Sequence, residues 1–129
     1  MKKEVVLLPG LKKPDSPFNH VVKAGHFLFL TSQLSADLKT GQIIQGDIRE
    51  QTKRALENIK TLLESCGSNM DNILKAIVYL RNKEDFEEVN NIYGKYFTKG
   101  LEPARVTIQA QSPIEAVDIE IEVTALVDK

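Results

Sequence analysis

Asp47-Ile48-Arg49-Glu50-Gln51-Thr52-Lys53-Arg54-Ala55-Leu56-Glu57-Asn58-Ile59-Lys60-Thr61-Leu62-Leu63-Glu64-Ser65-Cys66-Gly67 carries the clearest periodicity in the chain, and the fold is read outward from it. Ile48, Thr52, Ala55, Leu56, Ile59, Leu62, Leu63 and Cys66 recur at intervals of three and four, which lines one face of a helix. Asp47 and Glu50 have the spacing of a capping box, with Asp in place of Ser or Thr. Gly67 is a natural stop, since a helix often ends on a residue in the left-handed conformation. Cys66 falls on the apolar stripe, so it reads as a core residue and not as a nucleophile.

On the C-terminal side, residues 73–80 are apolar and β-branched and predict a strand. Asn82 then caps a second helix in which Phe86, Val89, Tyr93, Tyr96 and Phe97 share a face, ended by Lys99-Gly100. Residues 104–111 and 117–127 predict two last strands joined near Ser112-Pro113. On the N-terminal side, residues 5–8 predict a strand stopped by Pro9-Gly10. Residues 20–25 and 26–31 predict two more, meeting at Ala24-Gly25. Residues 27–30 are apolar on both faces, as in a central strand covered on each side. Lys39-Thr40-Gly41 marks a turn. The order β-β-β-α-β-α-β-β predicts an α+β architecture, a mostly antiparallel sheet with two helices packed on one face.

With 129 residues, the chain suits a single domain, residues 1–129, that buries about 65–70% of its unfolded surface. Seventeen basic and 18 acidic residues leave a net charge of −1. A binder of phosphate backbones normally carries a basic excess or stripe, so nucleic acid is not the expected partner. Lys53, Arg54 and Lys60 are interleaved with Glu50, Glu57 and Glu64, which describes a solvated mixed-charge face. One cysteine excludes a disulfide framework and a thiolate metal cluster. The apolar run near the N-terminus is too short for a secretory signal, and no window reaches the length of a membrane span. A reducing, cytoplasmic setting is the expectation.

Side chains alternate across a strand. In 104–111, Val106, Ile108 and Ala110 point one way and Arg105, Thr107, Gln109 and Gln111 the other. In 117–127, the apolar set is Val117, Ile119, Ile121 and Val123, and the polar set is Asp118, Glu120, Glu122 and Thr124. If the apolar sets pack under the helices, Arg105 and the carboxylates share the opposite face. A solvated sheet face with cross-strand ion pairs explains this pattern. So does a polar cleft in which Arg105 grips an anion through two parallel N–H donors and a Glu handles water or a proton. Pattern alone does not choose between them.

Pro103-Ala104-Arg105 followed by Val117-Asp118-Ile119-Glu120-Ile121-Glu122 resembles the closing motif of the RidA/YjgF family. Ser16-Pro17-Phe18, Lys39-Thr40-Gly41, Ala55-Leu56-Glu57-Asn58-Ile59, Asp85-Phe86 and Val89-Asn90 extend the resemblance over nearly the whole chain. The resemblance implies a chorismate-mutase-like subunit in a homotrimer with ligand clefts between subunits. The implied activity is hydrolytic deamination of reactive 2-imino acids, 2-iminopropanoate and 2-iminobutanoate, without metal or organic cofactor. Arg105 would pair with the substrate carboxylate and Glu120 would hold the attacking water. Phe18, Thr31, Ser32 and Thr107 would line the substrate site.

Four positions depart from the family pattern. Phe18 stands where Tyr is frequent and has no hydroxyl. In an ungapped alignment Thr31 replaces a Ser and Ser32 replaces a Gly whose N–H approaches the ligand, and the added side chain narrows that approach. An alignment with a gap places Ser32 itself at the Ser position. Thr107 stands where many members have Cys. A small-acid binding or regulatory module on the same fold is the alternative these departures suggest. The family also carries endoribonuclease and translation-inhibitor labels, but no His pair has general acid/base spacing here. His20 and His26 read as structural histidines.

Overall fold

The structure is a computed structural model that describes residues 1–128. Strands β1 (Lys3–Val5), β2 (Val21–Ala24) and β3 (Phe27–Leu30) precede helix α1 (Ile48–Ser65). Strand β4 (Ile73–Leu80), helix α2 (Phe86–Tyr93), strand β5 (Ala104–Gln109) and strand β6 (Ile119–Leu126) follow. The predicted order of elements is the observed one. The six strands form one sheet in the order β1-β2-β3-β6-β4-β5. Every pairing is antiparallel except β4 with β5.

Local chemistry explains the principal helix. Glu50 N–H donates to Asp47 Oδ1 at 2.9 Å while the Glu50 carboxylate accepts from Asp47 N–H, closing the predicted capping box. At the other end Gly67 sits at φ 80°, and Ser68 N–H and Gly67 N–H bond to Leu63 O and Glu64 O. This Schellman arrangement satisfies carbonyls that the helix leaves open. Ala55, Leu56, Ile59, Leu62 and Leu63 are buried against Val78, Leu80, Ile119, Ile121 and Val123 of the sheet in one core cluster. Cys66 packs partly against that core, and burial pushes its thiol pKa up. No helix among the described residues is long and apolar enough to cross a membrane.

Several predicted boundaries shift. The first strand is residues 3–5 and not 5–8, because its pairing is with Val22–Ala24 on β2 and the chain departs after Val5. Leu7 is consequently 81% exposed, while Val6 and Leu8 pack against the core from irregular backbone. A 3-10 turn at Lys83–Asp85 intervenes after Asn82, which makes no side-chain cap. Helix α2 therefore starts at Phe86 and ends at Tyr93, leaving Tyr96 in a further 3-10 turn and Phe97 extended. The last two strands do not pair with each other, since both flank β4.

Among the described residues only one sheet face is covered. Phe27 and Phe29 of β3 are 39% and 47% exposed, so β3 is not the doubly covered strand its sequence suggests. Val106 and Ile108 are each 43% exposed on the same open face.

Candidate functional site

Ladder registers assign each candidate residue to a face. Ile119, Ile121 and Val123 of β6 stand opposite Leu80, Val78 and Ala76 of β4, and all six are buried under the helices. Glu120 and Glu122 stand opposite Tyr79 and Ile77 and so belong to the open face. Across the other edge of β4, Arg105 and Thr107 pair with Ala76 and Val78, whereas Val106 and Ile108 pair with Ile77 and Tyr79. Arg105 and Thr107 therefore lie on the helix side. The expectation that Arg105 shares a face with the carboxylates is overturned. Its cause is the parallel register of β5, which sends the apolar members of that strand outward.

Arg105 sits on the edge strand, its guanidinium carbon 4.8 Å from the Tyr93 ring centre and 5.6 Å from that of Phe86. The aromatic faces attract the cation and hold it at the rim between β5 and α2. Burial pushes the Tyr93 hydroxyl up to about 12, with Arg105 opposing the shift.

Glu120 lines a cleft of about 210 Å3 on the open face, together with Ser32, Tyr79, Glu122 and the loop residues Ala110 to Pro113. Ser32 Oγ donates to Glu120 Oε1 at 2.6 Å. Tyr79 donates to Glu122 Oε1 at 3.0 Å, and that bond raises the tyrosine pKa. Phe18, Thr31 and Ser32 line a second cleft of about 240 Å3. Ser32 thus separates the carboxylates from the Phe18 side, while Arg105 and Thr107 border neither cleft.

Two residues hold the Glu120 cleft without being legible as site residues. The buried Gln51 amide donates to Gly46 O and Ala116 O at 2.9 and 3.3 Å and to Asp118 Oδ2 at 3.3 Å. Its oxygen accepts from Asp118 N–H at 2.8 Å. Arg81 Nη2 donates to Glu115 O at 2.7 Å, and its Nε lies 3.4 Å from Asp118 Oδ1. Together they pin the loop between β5 and β6. A glutamine on the buried stripe of α1 was the available signal, because a buried amide requires partners.

Neither histidine borders the Glu120 cleft, while His20 lines the second cleft with Phe18 and its Nδ1 lies 3.4 Å from Gln33 Nε2. His26 Nδ1 contacts Val127 O at 3.2 Å and His20 Nε2 contacts Lys12 O at 3.3 Å. Among the described residues no cluster of His, Cys, Asp and Glu is disposed to hold a metal ion.

Comparison with known proteins agrees with this fold. Residues 11–127 match the family profile described as endoribonuclease L-PSP. A RutC family protein of Pyrococcus horikoshii is 42% identical over 95% of this chain and 97% of its own length. A protein of Dermatophagoides farinae named 2-iminobutanoate/2-iminopropanoate deaminase is 25% identical over 98% of both chains. The solved structure of a Yersinia pestis member of the conserved Rid protein family superposes with TM-score 0.89 at 28% identity, covering 98% of this chain and 100% of that one. With the profile spanning all of the sheet but β1, and both helices, the chain belongs to the RidA/YjgF family.

Proposed function

We propose that the chain hydrolyses reactive 2-imino acids such as 2-iminopropanoate and 2-iminobutanoate to 2-oxo acids and ammonia, in clefts completed by a second copy of itself. The observation that carries this reading is the placement of Arg105 and Glu120 on opposite faces of one sheet. One small molecule cannot touch both within a single chain. A neighbouring copy seated on the open face would bring its own β5 edge, with Arg105, toward Glu120. Phe27, Phe29, Val106, Ile108 and Leu126 give that face the apolar character of an association surface. A homotrimer closed by a rotation axis is the assembly proposed.

In such a cleft Arg105 pairs with the substrate carboxylate and fixes the adjacent C=N carbon. As water oxygen bonds to that carbon, Glu120 takes one water proton and the C=N electron pair moves to nitrogen, which regains that proton to give the carbinolamine. Glu120 then takes the hydroxyl proton as the C=O forms and the C–N bond breaks, and passes it to nitrogen, which leaves as ammonia from the 2-oxo acid. Thr107 travels with Arg105 on the donor edge, and Phe18 and Thr31 lie across Ser32 from Glu120, where the substrate side chain would rest. No cofactor is needed for this addition and elimination.

The test generates the imine in situ with an amino-acid oxidase and follows its loss with wild type and Arg105→Ala. Acceleration by the wild type alone is expected. An unchanged rate in the variant overturns the assignment of Arg105. The second reading, a small-acid binding module, draws on Phe18, which brings no hydroxyl to its cleft. It predicts thermal stabilisation by 2-oxo acids without turnover.

A further inference from the structure

We propose that Ser32 is the positioning residue of the Glu120 cleft: its hydroxyl commits one carboxylate oxygen and thereby presents the other to the attacking water. The proposal rests on the hydrolysis reading above and adds to it a residue that acts through Glu120 and not on the substrate.

Both partners of the bond stand on anchored backbone. Glu120 lies in β6, paired on one side with β4. Ser32 precedes Gln33, whose N–H and C=O exchange bonds of 2.7 and 2.9 Å with Ile121, the residue after Glu120. The Asn58 amide holds the same segment from α1, donating to Leu34 O at 3.1 Å and Ala36 O at 2.8 Å. Donor and acceptor are therefore fixed on one framework, and the 2.6 Å separation is that of a charge-assisted O–H···O− bond.

The alternative donor is already engaged. Tyr79 is the ladder partner of Glu120, but its hydroxyl is bonded to Glu122. Glu120 and Glu122 thus each have one hydroxyl of their own. A glutamate has three rotatable side-chain bonds, and without Ser32 its carboxylate is free to swing toward Tyr79. Among the described residues the second oxygen of Glu120 accepts no hydrogen bond, which leaves it for water. Phe18 cannot supply a replacement hydroxyl from the neighbouring cleft.

The experiment compares Ser32→Ala, Ser32→Thr, Glu120→Gln and the Ser32→Ala/Glu120→Gln double variant in the imine assay. Ser32→Ala should lower kcat about tenfold, the scale of a misplaced catalytic group, with KM nearly unchanged. Ser32→Thr keeps the hydroxyl and should recover most of the rate. The double variant should be no slower than Glu120→Gln alone, because Ser32 acts only through that carboxylate. A raised KM with unchanged kcat, or a further fall in the double variant, overturns the proposal. A readout independent of turnover is the Glu120 13Cδ resonance in protein labelled at glutamate carboxyls, assigned through Glu120→Gln. It should move in Ser32→Ala and stay near its wild-type position in Ser32→Thr. A resonance that does not move overturns the proposal whatever the rates. A wild type without turnover defeats the hydrolysis reading and Ser32's part in it, while a moved resonance then still places the hydroxyl on Glu120.

Discussion

Opposed faces for Arg105 and Glu120 make a quantitative prediction about mixed assemblies. Let Arg105→Ala and Glu120→Ala be co-expressed with different affinity tags, and let only particles carrying both tags be kept. If each cleft takes Arg105 from one copy and Glu120 from its neighbour, a trimer of two variants contains one intact cleft. The dual-tagged species should then regain about one third of the wild-type rate per subunit, whereas a dimer would regain about one half, by counting head-to-tail contacts in a closed ring. Each variant alone should fall by about 10- to 150-fold in kcat/KM, the range expected when a hydrogen bond to a charged group worth roughly 1.5–3 kcal/mol is removed. Complementation is therefore visible over a low background. The assay is imine loss with semicarbazide competing for the imine, normalised to subunit concentration. Dual-tagged particles no more active than the single variants would refute the shared cleft and force both residues into independent roles.

Tyr93 and Asn58 give two further tests. The Tyr93 hydroxyl is buried without a hydrogen-bond partner and its pKa is raised from the ordinary 10.0 to about 12. Its contribution is fully present below pH 10, where folded and unfolded tyrosines are both neutral. It is lost between pH 10 and 12, where only the unfolded chain releases the proton. Tyr93→Phe should therefore be near neutral at pH 7 and should flatten the alkaline loss of stability, measured as urea midpoints from pH 7 to 11. A variant that declines as steeply as wild type would contradict this. Asn58→Ala strands the Leu34 and Ala36 carbonyls. It should cost about 1–3 kcal/mol in chemical denaturation and lower kcat with Ser32, the residue this segment carries.

Much of the fold was legible because the decisive signals are local. Asp47, Glu50 and Gly67 bound α1 by backbone chemistry that needs no tertiary partner. Alternation in residues 119–125 matched the observed burial because β6 is central and its apolar side chains meet α1. The same alternation in β5 misled for a physical reason. Periodicity separates two faces but does not say which one meets the helices, and an edge strand can turn its apolar side toward another molecule. The pairing of Arg105 with Ala76 and the rings of Phe86 and Tyr93 on α2 assign the guanidinium to the helix side. Glu120 could be read from the closing motif, but its bond to Ser32 joins residues 88 positions apart and left no periodic trace. The partners of Gln51 were hidden for a related reason, since they lie in a loop whose path follows from the strand order.

Gln51 also bears on how β6 finds its place. Ile119, Ile121, Val123 and Ala125 would all remain inward if the strand slid by two residues, so hydrophobic burial penalises a one-residue slip far more than a two-residue one. The Gln51 amide breaks that degeneracy. It bonds to both the N–H and the carboxylate of Asp118, 67 positions away, and Arg81 holds the same side chain from the end of β4. A two-residue slide would carry Glu120 into the place of Asp118 and set Glu122, without its Tyr79 partner, beside Ser32. Burial of one amide thus selects, among frames that bury nearly the same apolar surface, the one in which Glu120 stands beside Ser32.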